Sequence, residues 1–137
     1  MTRFMLDTDT CIYLINRRDT SMLATFEQHA EATCISAIAH AELCYGAEHS
    51  TRVERNRQEL AEFVADLDVA AFDKVAGDHY GEIRETLARD GMPIGANDLL
   101  IAAHARSLSA VLVTNNQKEF SRVPGLKTEN WVVGQAG

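Results

Sequence analysis

Short apolar runs recur along the chain, and most of them end at a polar or charged residue. Such runs are typical of strands in a buried parallel sheet, whose two faces are both covered. The pattern predicts strands at residues 3–6, 33–36, 69–72, 111–113 and 127–133. The third of these is a weak strand, and the last is expected at an edge of the sheet.

The segments between these runs carry apolar residues at helical spacing, which predicts helices at residues 11–15, 22–30, 37–47, 53–67, 73–89 and 98–105. Thr8, Asp9 or Thr10 could cap the first helix. Ser36 and Asn97 are expected to cap the third and the last. Because strands alternate with helices, we expect one α/β domain with a central, mostly parallel sheet of four or five strands flanked by helices.

The last predicted helix indicates where a functional site lies. Residues 99–105 are apolar on almost every side, which is typical of a helix buried between other elements. A helix of about ten residues rises ~15 Å, similar to the length of a short strand. If this helix leads into the parallel strand 111–113, it must begin near that strand's exit. Asp98 would then lie near Thr114 and Asn116, at the edge where the carboxyl ends of parallel strands bind ligands.

Other acidic and amide side chains are expected at the same edge. Asp7 directly follows the first strand, and Glu42 lies in the second turn of the helix after the second strand. Asn116 and Glu119 arrive from the fourth strand. Close carboxylates raise one another's pKa unless a cation lies among them, and oxygen ligands alone favour Mg²⁺ or Mn²⁺. This arrangement predicts metal-dependent phosphodiester hydrolysis, with Glu42 or Asp98 orienting or deprotonating the attacking water.

Length and composition fit one domain. The chain has 137 residues, of which 46% are hydrophobic, and we expect the domain at 1–133 with a fraying tail at 134–137. No apolar run approaches the ~20 residues that span a bilayer. The first residues also reach a charge too soon for a secretory signal, so a cytoplasmic protein is expected.

The net charge of −7 is unfavourable for nucleic-acid binding, so phosphates would require local cations. Arg17 and Arg18 are one candidate group, and a second comprises Arg52, Arg55 and Arg57. Glutamates interleave with the second group, which favours a solvated helix face. Arg84 is expected on the core side of its helix, where an RNA contact and a structural ion pair are equally compatible with the sequence. An acidic body also suits a basic partner protein.

Cys11, Cys34 and Cys44 have no paired spacing, and their odd number argues against a disulfide framework. Their apolar neighbours predict small buried side chains. His40 and Cys44 are spaced i and i+4, but their apolar helix face makes a catalytic pair the weaker interpretation. His104 is expected to be a packed helix residue, and no spacing indicates a structural zinc site.

Several segments resemble the PIN-domain ribonucleases, specifically the VapC toxins of bacterial toxin–antitoxin pairs. The segments are FMLDTDTCI at 4–12, IS at 35–36, AEL at 41–43, YGAE at 45–48, IR at 83–84, GMPIG at 91–95, Asp98, IAAHA at 101–105, VTNN at 113–116 and EF at 119–120. The resemblance implies an Mg²⁺-dependent endoribonuclease with acids at Asp7, Glu42 and Asp98. It also implies a homodimer and a VapB-like antitoxin that enters the site. By similarity alone, the substrate would be initiator tRNA, cut in the anticodon stem-loop.

The chain departs from the family pattern at two positions. Many PIN domains have an acid where this chain has Asn116, so a fourth acidic role is either absent or falls to Glu119. Asp9 stands where an Asn or Ser is expected, and it adds negative charge near the metal. We expect Asp9 to cap a helix or to support the site without binding the metal.

Two alternatives stay open. Residues 7–10 also fit the DxDx[TV] signature of haloacid-dehalogenase-like phosphatases, with Asp7 as nucleophile and Asp9 as acid/base. That family needs a further acidic pair downstream, whereas no Asp follows Thr114. The other alternative is a non-catalytic PIN-like binding or repressor module. Asn116 permits this module, but an intact set of three acids argues against it.

Overall fold

The structure is a computed structural model and describes residues 2–16 and 20–132. Its strands are Phe4–Leu6 (β1), Thr33–Ser36 (β2), Asp68–Ala70 (β3), Val111–Val113 (β4) and Lys127–Glu129 (β5). Its helices are Thr8–Asn16 (α1), Thr20–His29 (α2), Ala37–Glu48 (α3), Val53–Val64 (α4), Lys74–Arg89 (α5), Ala96–Ser107 (α6) and Gln117–Phe120 (α7). A 3₁₀ turn at Ala30–Ala32 joins α2 to β2. Arg17, Arg18 and the tail at 134–137 lie outside the described residues.

The five strands form one sheet in the order β3-β2-β1-β4-β5, and every pair is parallel. The central strand β1 places Leu6 beside Ile35 of β2 and Val113 of β4. These three strands therefore end at the same level, which we call the carboxyl edge. The predicted α/β fold with a central parallel sheet is confirmed.

Two hydrophobic cores lie on opposite faces of the sheet. Side chains of α5 and α6 contribute to one core, and side chains of α1, α2 and α4 contribute to the other. Successive residues of a strand point to opposite faces, so Met5 enters the first core while Leu6 enters the second. Helix α3 contributes Ala39 to the first core and Leu43 to the second. It therefore bridges the two layers next to the carboxyl edge.

Helix α6 is buried on most sides, as its apolar sequence predicts. Its buried residues are Leu99, Ile101, Ala102, Ala103, His104 and Ala105. The His104 ring packs edge-on against Phe72, and its Nδ1 lies 2.8 Å from Ser36 Oγ. Burial lowers the pKa of His104. This histidine is a packed helix residue, as expected.

The helix caps follow local sequence signals in some places and not in others. Ser36 Oγ accepts the Ile38 N–H at the start of α3, as predicted, whereas Asp73, expected as the first residue of α5, is its N-cap instead. The cap of α1 is Asp7, whose Oδ1 accepts the Thr10 N–H at 2.9 Å. The proposed caps Thr8, Asp9 and Thr10 are wrong because α1 already begins at Thr8.

Helix α6 and two other elements also differ from the prediction at their ends. Helix α6 begins two residues earlier than predicted, at Ala96, with Gly95 rather than Asn97 at its N-cap. Helix α4 ends at Val64, and β5 ends at Glu129. Trp131, which was expected in the last strand, lies beyond it but is buried in the second core.

The cysteines are free thiols, and Cys11 and Cys34 are buried as predicted. Cys44 is only partly buried, and its Sγ lies 3.6 Å from His40 Nε2. Among the helices that the structure describes, none is long and apolar enough to cross a membrane.

Candidate active site

Asp7 lies at the exit of the central strand. Its backbone N–H donates to the Val113 carbonyl at 3.0 Å, which continues the ladder between β1 and β4 by one residue. The side chain is 4% exposed. Burial raises the pKa of Asp7, while interactions with Thr114 and Thr10 lower it in part. The carboxyl group is therefore withdrawn from water and held in one position at the carboxyl edge.

Asp98 lies in the first turn of α6 and is partly buried. Loss of water, followed by the negative charges of Glu119, Asp7, Glu42 and Asp9, raises the pKa of Asp98 to about 6. The amino end of a helix attracts negative charge and would by itself lower the pKa of Asp98. Burial and repulsion by the other acids outweigh this attraction. Repulsion from these four acids indicates that their charges lie near Asp98.

Glu42 links α3 to α1 and to α6. Its Oε1 accepts the Thr8 hydroxyl at 2.5 Å, and its Oε2 accepts the Asn97 side-chain amide at 3.0 Å. Both partners were missed as site residues, since Thr8 and Asn97 were expected to cap helices. A polar residue at the start of a helix looks the same in the sequence whether it caps that helix or contacts a distant glutamate. The sequence therefore contains no signal for the contacts of Thr8 and Asn97 with Glu42.

Asn116 and Glu119 form a pair beside the loop that precedes α6. Glu119 Oε1 accepts the Gly95 N–H at 3.4 Å, and its Oε2 accepts the Asn116 side-chain amide at 3.2 Å. Asn116 is therefore not an acid of the cluster itself, but its side-chain amide helps to position the carboxylate of Glu119. Asp9 is exposed and does not cap α1, so it adds charge without the expected capping role.

The donor set suits a hard divalent cation. Carboxylate oxygens dominate the cluster, and a cation would relieve the repulsion that raises the pKa of Asp98. In the part of the chain that the structure describes, no three His, Cys, Asp or Glu side chains are already arranged around one ion. Glu42 and Glu119 each use both oxygens for hydrogen bonds to the protein. The chemistry of the residues therefore fits a metal ion, since each of these oxygens accepts one hydrogen bond and keeps a second lone pair that could hold the ion.

The candidate cations outside the cluster have different surroundings. Arg57 pairs with Glu48 and Glu54 on the surface, and Arg55 pairs with Glu59. This arrangement confirms the solvated helix face predicted for α4.

Arg84 is exposed, so its expected place on the core side of α5 is wrong. Its Nη1 donates to Tyr80 Oη at 2.8 Å.

Comparison with known proteins identifies the family. The PIN domain profile matches residues 4–126. The tRNA(fMet)-specific endonuclease VapC of Shigella flexneri is 46% identical over 131 residues, which cover 96% of this chain and 99% of that protein. Ribonuclease VapC2 of Haemophilus influenzae is 46% identical over 132 residues, which cover 96% of this chain and 100% of the relative.

A solved structure agrees with these matches. The crystal structure of DNA-bound VapBC from Salmonella typhimurium contains a chain that superposes with a TM-score of 0.93 and 44% identity, covering 96% of this chain and 100% of that one. The haloacid-dehalogenase interpretation of Asp7 and Asp9 is wrong, because the PIN domain profile, which describes another family, matches the segment that contains both residues. The chain therefore belongs to the PIN-domain family and, within it, to the VapC proteins.

Proposed function

We propose that this chain is a divalent-metal-dependent endoribonuclease that hydrolyses phosphodiester bonds at the carboxyl edge of its sheet. The observation that carries the proposal is the contact of Glu119 with Gly95 and of Glu42 with Asn97, which brings both acids to the start of α6 beside Asp98. Burial and the surrounding negative charges raise the pKa of Asp98 to about 6. An assembly of carboxylates this repulsive is explained by a function that brings a cation to it. The relatives named VapC ribonucleases support RNA as the substrate.

In this proposal Asp7, Glu42 and Asp98 hold Mg²⁺, and Mn²⁺ substitutes for it. The ion, when bound, lowers the pKa of a water and stabilises negative charge on a phosphoryl oxygen. Glu42 or Asp98 orients the attacking water or accepts its proton. Glu119, oriented by Asn116, supplies a fourth acidic group.

The relatives also suggest a substrate and partners. The Shigella relative is named for tRNA(fMet), so initiator tRNA is the first substrate to test. The Salmonella structure is a DNA-bound VapBC, which supports a VapB-like antitoxin as the inhibitor of this chain. The net charge of −7 suits a basic antitoxin segment at the acidic edge. We further propose that the active form is a homodimer.

The test is an RNA cleavage assay with total RNA and initiator tRNA, followed by sequencing of the cleaved ends. Wild type is expected to cut with Mg²⁺ or Mn²⁺ and to stop in EDTA. The Asp98→Asn variant should cut RNA at least about 10²-fold more slowly than wild type. The substitution removes a charged group that is needed to hold the metal and to act on the water. Asp66→Asn is the matched control, since Asp66 is an exposed acid just before β3, near the opposite edge of the sheet.

Two results would contradict the proposal. One is cleavage that EDTA does not affect, and the other is equal cleavage by wild type and Asp98→Asn. Binding of RNA or of a basic partner without cleavage under any divalent metal would instead support the non-catalytic module.

A further inference from the structure

A second concave feature lies next to the acid cluster. Helix α5, the loop at 91–95 and helix α6 enclose a cleft of about 320 Å³. Tyr80 and Arg84 provide its polar groups, and the other lining residues are Leu87, Ala88, Pro93, Ile94, Ala96 and Leu99. A mostly apolar cleft of this size with a few polar groups is typical of a ligand pocket.

The cleft and the acid cluster share one wall. Pro93, Ile94 and Ala96 line the cleft, whereas Gly95 between them donates its N–H to Glu119 of the cluster. Gly95 also lies against Asp98, because a Cβ built on it would be 3.7 Å from Asp98 Oδ2. A chain segment bound at the acids could therefore continue directly into the cleft.

Arg84 presents an uncompensated positive charge at this cleft. The residues three and four positions away on α5 are not acidic: they are Tyr80, Gly81, Leu87 and Ala88. Within residues 2–16 and 20–132, no carboxylate forms an ion pair with Arg84. The guanidinium instead bonds to Tyr80 Oη and lies 5.8 Å from the centre of the Tyr80 ring.

The nearby glutamates of α5 are engaged elsewhere. Glu82 pairs with Arg106 at 2.9 Å, and Glu85 pairs with Arg89 at 3.6 Å. Both pairings leave Arg84 available to an external anion.

A second arginine approaches the shared wall from the other side. Arg122 is exposed, and its Nη1 donates to the Pro93 carbonyl at 3.1 Å. It, too, has no carboxylate partner among the residues that the structure describes. In a chain of net charge −7, these two arginines place positive charge on both sides of the shared wall, where it attracts phosphates.

We propose that this cleft binds one nucleotide of single-stranded RNA adjacent to the phosphate at the acid cluster, an inference that rests on the proposed function. The base packs against Tyr80 and the apolar lining, since aromatic side chains stack on bases of any sequence. Arg84 and Arg122 contact the flanking phosphates.

The test measures binding apart from cleavage. Fluorescence anisotropy with a fluorescein-labelled oligouridylate, in EDTA and over a series of salt concentrations, gives the Kd and its salt dependence. Arg84→Gln is expected to raise the Kd about tenfold and to reduce the slope of log K against log salt by ~0.7, the value for one phosphate on a single strand. Tyr80→Leu should raise the Kd to a similar extent without changing the slope.

Arg89→Gln is the matched control. Arg89 is an exposed arginine on the same helix, but it is paired with Glu85 and lies outside the cleft. Its Kd and slope should equal those of wild type. Equal effects of Arg84→Gln and Arg89→Gln would overturn the inference.

Two further measurements separate this inference from competing outcomes. If Arg84→Gln and Tyr80→Leu change the mass in sedimentation and leave RNA affinity unchanged, a second copy covers the cleft and the inference fails. Arg84-dependent RNA binding by a wild type that cleaves nothing would support the cleft and contradict the proposed nuclease. Mg²⁺-dependent cleavage with an unchanged KM in Arg84→Gln would support the nuclease and contradict the cleft.

Discussion

Asp7 serves both the fold and the candidate site. Its Oδ1 caps α1 through the Thr10 N–H, and its buried carboxyl group faces the acid cluster. A cap requires an oxygen acceptor but no charge, whereas holding a cation requires the charge. The two roles can therefore be separated by substitution.

Asp7→Asn is expected to fold as well as wild type, since Asn caps helices as well as Asp and avoids a buried charge. Asp7→Ala should lose about 1 kcal/mol of the free energy of unfolding, because the Thr10 N–H loses its acceptor. Both variants should lose RNA cleavage. Urea unfolding and the cleavage assay give the two readouts, and equal destabilisation by Asn and Ala would contradict the capping role.

Asp98 should make stability depend on pH in a defined window. Its pKa is about 6 in the folded chain, against an ordinary value of 3.8. Between these values the folded chain binds the proton more tightly than the unfolded chain, so this group lowers stability as pH rises and has no further effect above the folded pKa.

In the Asp98→Asn variant the side chain does not titrate, so this loss of stability with rising pH is absent. The difference in free energy of unfolding, variant minus wild type, should therefore increase between pH values near 3.8 and 6 and then stay level. Urea unfolding in EDTA over this pH range measures it. A difference that stays constant with pH would show that Asp98 has an ordinary pKa.

At the scale of elements, the end of α5 shows how a glycine sets the start of the site loop. Gly91 has φ of 66°, in the left-handed region that favours glycine. The Met92 N–H donates to the Leu87 carbonyl at 2.9 Å, and the Gly91 N–H donates to the Ala88 carbonyl at 3.2 Å. These two bonds form a Schellman motif, which ends the helix and turns the chain toward the loop beside the acid cluster.

Gly91→Ala should lower the free energy of unfolding by about 1–2 kcal/mol, because a Cβ disfavours the left-handed conformation. Gly81→Ala is the matched control on the same helix. Gly81 lies within α5, and a Cβ there would meet no atom within 4 Å. The control should gain about 0.5–1 kcal/mol through helix propensity. Urea unfolding of both variants tests the opposite signs, and equal changes would contradict them.

At the scale of the whole molecule, one sheet connects two cores. Strand β1 sends Met5 into one core and Leu6 into the other, so neither core can lose its packing without disturbing the same strand. The chain should therefore unfold in one cooperative transition.

Ile101→Ala removes a buried side chain from the core that α5 and α6 cover. It should cost about 2–5 kcal/mol, and Ile101→Val about 0.5–1.5 kcal/mol. Trp131, the single tryptophan of the chain, is buried in the other core. Its fluorescence and the far-UV circular dichroism should give coincident urea transitions in both variants. A tryptophan transition that keeps the wild-type midpoint would show that the cores unfold independently.

Local patterns accounted for most of the fold. The apolar runs identified the strands, and Ser36 was recognised as a cap because a cap is a contact between neighbours in sequence. The predicted side of α5 for Arg84 was wrong. Successive residues of a helix point about 100° apart, and Arg84 directly follows the buried Ile83. Where apolar and charged residues mix on one side of a helix, the spacing of apolar residues does not show which of two adjacent residues is buried.

The sequence by itself determined the parallel sheet and the position of Asp7 at the end of its first strand, and from these it predicted that acids from distant segments meet at one edge. Tertiary structure alone decided how those acids are held. The Asn97–Glu42 and Gly95–Glu119 hydrogen bonds join residues separated by 55 and 24 positions. The raised pKa of Asp98 likewise depends on burial and on charges brought by other segments, and no local pattern contains those distances.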